Sequence, residues 1–111
     1  MIHLLSVRAT SQQMKEMREE WDFLIKVAVD VRRGVLAGGG NAHSDCEEVL
    51  RDAGSQQDDI WGAGWMVYQQ AITFTSVINY RPRQKIFTDE VTDPALRERI
   101  ATIILSFLGD V

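Results

Sequence analysis

One cysteine, two prolines and two histidines in 111 residues leave little room for several kinds of chemistry. A lone Cys46 permits no internal disulfide and no cysteine-based zinc site, and it suits a reducing compartment. Long apolar runs are missing too. Ile103-Ile104-Leu105 is broken at Ser106 before Phe107-Leu108, far short of the roughly 20 residues that span a bilayer. No transmembrane helix and no membrane partner are expected. Met1-Ile2-His3-Leu4-Leu5 has neither a basic start nor a long apolar stretch with a cleavage site, so the expected compartment is the cytoplasm. Positive charge is also scarce: twelve basic against sixteen acidic residues give a net charge of −4. That balance disfavours a general nucleic-acid grip, which draws on clustered Lys and Arg. Arg81, Arg83 and Lys85 form the one short basic patch.

What is present is ordinary globular material. Hydrophobic content of 45% and charged content of 25% match a folded domain. The length suits one core, hence a single domain over residues 1–111. Ile2 to Val7 can form a short strand. Thr10 or Ser11 can then cap a helix whose apolar members Met14, Met17 and Trp21 fall at spacings of three and four. From Ile25 the period becomes two: Ile25, Val27, Val29 and Val31 alternate with Lys26, Ala28, Asp30 and Arg32, the pattern of a half-buried strand. Arg33-Gly34 can turn it into Val35-Leu36-Ala37 if Gly34 takes a positive φ.

Gly38-Gly39-Gly40-Asn41 breaks regular structure. A short helix is expected next, with Ser44 and Glu47 in capping-box spacing and Gly54 as terminator. Ile60–Tyr68 and Ala71–Tyr80 read as paired strands, within which Gly62 and Gly64 mark a bulge or a close approach. The last helix is the best specified. Asp93 is a natural cap, Pro94 fits the first position, and Leu96, Ile100, Ile103, Ile104 and Phe107 make an apolar stripe ending at Gly109. The expected fold is therefore α+β: a mostly antiparallel sheet of four to five strands, with two longer helices on one face and one short helix.

Four segments hold residues suited to chemistry. Gly38, Gly39 and Gly40 precede a helix start, where free backbone N–H groups can meet an anion. They match neither the dinucleotide fingerprint nor the phosphate-binding loop, and a structural hinge is the stronger reading. His43, Asp45 and Glu47 beside Cys46 are residue types that could serve a metal or acid–base pair. If Ser44 is the cap, however, His43 falls outside the helix and Glu47 is used on backbone N–H groups. A Cys46 nucleophile is disfavoured by its flanking carboxylates, which raise a thiol pKa. Trp61 and Trp65 read first as core or dimer contacts. At the end of the second strand pair, Asn79-Tyr80-Arg81-Pro82-Arg83 presents donors for a carboxylate or phosphate, unless Arg81 pairs with Asp45 or Glu47.

Leu36-Ala37-Gly38-Gly39-Gly40, His43-Ser44-Asp45-Cys46-Glu47, Gly54-Ser55-Gln56-Gln57, Trp61-Gly62-Ala63 and Ile78-Asn79-Tyr80-Arg81-Pro82, followed by Asp93-Pro94, occur together in order. The set, over roughly residues 25 to 108, resembles a family of small bacterial proteins catalogued as a domain of unknown function. The resemblance implies a stand-alone prokaryotic domain and carries over no catalytic residue.

The expected function is a non-enzymatic binding module, a homodimer or partner of another protein, that holds a small polar or anionic ligand or partner where Gly38–Glu47 meets Asn79 and Arg81. The alternative is a metal-dependent hydrolase using His43, Asp45 and Glu47. No motif requires a cofactor, and no metal site is assigned.

Overall fold

Thr10 Oγ1 accepts the Gln13 backbone N–H, and the Gln13 side chain accepts the Thr10 N–H. This reciprocal cap starts α1 (Ser11–Met17) in the computed structural model, which describes residues 1–111. The helix stops at Met17, so Trp21 lies beyond it and not on its apolar face. The Trp21 ring instead lies 4.5 Å from the Lys26 ammonium. At the other end of the chain the Asp93 carboxylate accepts the Ala95 N–H at 3.0 Å and Pro94 opens α3 (Pro94–Leu108), as the local sequence predicts.

Between them lies a five-stranded antiparallel sheet of β1 (His3–Leu5), β2 (Leu24–Asp30), β3 (Val35–Gly38), β4 (Ile60–Met66) and β5 (Ala71–Thr73), in the order β1-β3-β2-β4-β5. The α+β class and antiparallel sheet agree with the sequence reading. Gly34, at φ +70°, makes the turn from β2 to β3, and Val29 pairs with Leu36 and Ala28 with Ala37. A side-chain period of two then sorts β2 between faces. Ile25, Val27 and Val29 join Leu36, Met14, Met17, Trp65, Ile100 and Ile104 in the larger core.

Ala28 and Ala37, of opposite parity, form a second core with Ile60 and with Cys46 and Leu50 of α2 (His43–Asp52). The central strand is thus buried on both faces, not half-buried. The short helix is also not the expected one: α3 has 15 residues, α2, expected to be short, has 10 and α1 only 7. Alternation along β2 is blind to this, because Ala28 is small enough to underlie a helix and Asp30 is buried through its own hydrogen bonds. The Asp30 carboxylate is fully buried and accepts the Arg32 and Arg33 N–H groups and the Ser55 hydroxyl at 3.0, 2.9 and 2.6 Å. Ser55 reaches it because α2 ends as predicted at Gly54. The Gly54 N–H bonds Arg51 O and the Ser55 N–H bonds Leu50 O, the paired bonds of a Schellman ending.

The largest departure concerns Ala71–Tyr80, which is a strand only as far as Thr73. Beyond it, the Ser76 N–H donates to Asp89 O and the Val91 N–H to Phe74 O, each at 2.9 Å, and residues 77–79 form a 3-10 turn. A strand cannot continue along β4 here because a side chain takes its place. Asn79 Oδ1 accepts the Gly62 N–H at 2.8 Å and its Nδ2 donates to Gly62 O at 2.9 Å, so one amide satisfies both backbone groups that a fifth strand would pair. Gly62 is required for this approach, since a Cβ there would lie 2.4 Å from the Ser76 Cβ and Oγ. The close approach predicted at the β4 glycines is therefore present.

Candidate functional site

The glycine run is a packing device. Gly38 ends β3, Gly39 has φ +102°, and all three glycines are buried. A Cβ on Gly39 would lie 2.3 Å from Met1 O and 2.8 Å from Met17 Cα, and one on Gly40 would lie 3.0 Å from Cys46 Sγ. The chain terminus, α1 and α2 converge here closely enough to exclude side chains.

The start of α2 overturns the expected cap. The N-cap is Ala42, which has no hydroxyl, and the Asp45 carboxylate accepts its backbone N–H at 3.3 Å. Ser44 lies inside the helix. The shift follows from tertiary contacts on the first turn. The His43 Nε2–H donates to Ala63 O on β4 at 2.9 Å, and Cys46 is fully buried against the sheet with its thiol 3.6 Å from Lys26 O. Burial, helped by the charge of Lys26, lowers the His43 pKa from 6.5, so near neutral pH the ring is an uncharged donor. Burial also pushes the Cys46 thiol up to about 11, with Asp45 adding to the effect, which leaves no thiolate for nucleophilic chemistry.

His43 and Glu47 are now one turn apart on the same helix, as the competing reading required. Even so, no three His, Cys, Asp or Glu side chains gather as a metal-ligand set. His43 is held by β4, Asp45 by Ala42, and the buried Glu47 has neither a hydrogen bond nor an ion pair. The hydrolase alternative thus finds no convergent site.

Arg81 does not pair with Asp45 or Glu47. Its guanidinium donates to the backbone carbonyls of Ile60, Asp58 (3.2 Å) and Ile78 (3.4 Å) and stacks 3.8 Å from the centroid of the Trp61 ring. Its pKa is lowered by burial, against which the nearby Glu47 and Asp58 charges act. Glu47 acts on Arg81 only through its charge, while Gly38–Gly40 and Asp45 are occupied elsewhere. Asn79, 1% exposed, is likewise committed to Gly62 and also donates to Asp89 O at 3.3 Å.

Arg81 forms one wall of an open cleft of about 360 Å³ completed by Gln57, Asp58 and the run Tyr80–Gln84. Across it, Gln84 Nε2 donates to the Asp58 carboxylate at 2.8 Å. Arg83 and Lys85 stand at the tip of the hairpin closed by the reciprocal Arg81–Ile86 backbone bonds, both 3.0 Å, and neither has an acidic partner. Asp58 was not singled out from sequence, and Gln57 entered only within the Gly54-Ser55-Gln56-Gln57 segment of the family resemblance, with no role attached to it.

Fold and cleft together define an α+β domain with a polar surface cleft outside its sheet. The chain belongs to the family described as "Protein of unknown function (DUF5674)", whose model matches residues 3–107. Comparison with curated proteins and with solved structures found no match to either. No helix is long and apolar enough to cross a membrane.

Proposed function

We propose that this domain is a non-enzymatic, cytoplasmic binding module that takes an anionic or polar partner at the cleft between Asp58 and the Tyr80–Lys85 hairpin. The observation that carries this reading is a pair of cations without an acidic partner, Arg83 lining the cleft and Lys85 two residues on, in a chain with net charge −4. Two cations without an acidic partner on one short segment add to the positive charge beside the cleft, which steers anionic groups to it. The fixed Arg81 guanidinium contributes a preorganised wall, and preorganisation reduces the ordering cost of binding.

Affinity capture from a lysate of the source cells, with unmodified protein and the R83E/K85E double variant as baits, tests the reading. Both residues are exposed, so the variant should fold normally. Partners retained by the unmodified protein are expected to be lost from the variant. Identical partners on both baits would overturn the proposal.

A further inference from the structure

Resting on that reading, the geometry points to the chemical class of the partner: we infer an acidic protein segment carrying an apolar anchor, held on the outer face of the 77–87 hairpin. The antiparallel Arg81–Ile86 bridge is flanked by Tyr80 on one arm of the hairpin and Phe87 on the other. Neighbouring positions on a paired ribbon alternate in direction. Arg81 turns inward onto Trp61, and Ile86 lines a second groove with Trp61, so Tyr80 and Phe87 turn outward. They are 52% and 70% exposed. Val77, 77% exposed, opens the 3-10 turn that leads into Tyr80. Tyr80 and Phe87, flanking the bridge on the same side, thereby give the hairpin an exposed apolar face, with Val77 exposed on the preceding turn, and an exposed apolar face marks an interaction site.

Tyr80 also borders the cleft, so the apolar face and the cationic tip form one surface. Tyr, Phe and Arg are among the residue types enriched at protein interfaces. A nucleic acid is disfavoured, since two free cations release few counterions and the acidic body repels the phosphates beyond them. An anionic membrane meets the same objection, because its binding gains from each added Lys or Arg near the surface. An acidic peptide needs only two carboxylates placed against Arg83 and Lys85 and one apolar side chain against Tyr80 and Phe87.

Selection of a phage-displayed random peptide library on the full chain tests this. The selected peptides are expected to combine Asp or Glu with Leu, Phe or Trp. They should weaken at least tenfold against Y80S/F87S and also against R83E/K85E, with thermal melting of both variants close to that of the unmodified protein. If R83E/K85E abolishes binding while Y80S/F87S leaves it intact, this inference falls and the anion-binding reading stands. If neither variant weakens binding, both fall. Selection of no peptide, or hairpin-dependent binding of phosphatidylserine vesicles or oligo-dT in its place, overturns the acidic-segment assignment.

Discussion

Asn79 shows how much one side chain can replace. Its amide closes both free backbone groups of Gly62, and both lie inside the protein. Asn79→Ala is expected to cost about 3 kcal/mol, because each buried polar group left unpaired costs about 1–3 kcal/mol. A shift of the urea midpoint at unchanged slope measures it. His43 makes a second residue-scale prediction. Above pH 6.5 its ring is neutral in both folded and unfolded chains. As the pH falls below 6.5 the unfolded chain binds the proton first, so stability declines until the lower folded-state pKa is passed. His43→Gln, which keeps an N–H donor for Ala63 O, should flatten the fall in melting temperature between pH 7 and pH 5. An unchanged slope would show that His43 does not contribute to it. Neither role was legible in sequence, because Asn79 lies 17 residues from Gly62 and His43 lies 20 from Ala63.

At the scale of elements, ends written in local chemistry were legible and those set by distant contacts were not. Thr10 with Gln13, Gly54 and Asp93-Pro94 all act on backbone groups within one turn of themselves. The Ser44–Glu47 pattern is equally good local chemistry but loses to the anchoring of His43 and Cys46 on the sheet, which starts α2 two residues earlier than a Ser44 cap would. The β2–β3 hairpin and the end of α2 are joined through Asp30. Asp30→Ala removes three accepted hydrogen bonds and should cost about 2 kcal/mol or more. Asp30→Asn retains an acceptor for the two turn N–H groups and should cost less. Chemical denaturation of the two variants compares them, and equal losses would count against the turn bonds as the cause.

For the whole molecule, the two cores share one sheet. Val27 and Val29 belong to one and Ala28 to the other, all on β2, so neither core can open without exposing the back of the other. Unfolding should therefore be a single transition, as in most domains under 150 residues. Tryptophan fluorescence, reporting Trp65 in the larger core, and far-UV circular dichroism should give coincident denaturation curves. Separated midpoints would mean that the α2 layer unfolds independently. At this scale the candidate site was half legible. Asn79-Tyr80-Arg81-Pro82-Arg83 was identified as a segment, but Arg81 was assigned to a ligand when its guanidinium is fixed on backbone carbonyls and the Trp61 ring. The free cations are its neighbours in the hairpin.

The sequence by itself determined the α+β class, the antiparallel strands around β2, and the starts of α1 and α3. Each of these follows from side-chain periodicity or from capping within a few residues. Only the tertiary structure decided that α2 seals the second face of the sheet, that an asparagine amide stands in for a strand, and that the glycine run is a packing contact. Those outcomes depend on which backbone groups from distant segments are brought together without water, and that competition is settled by burial and hydrogen-bond geometry.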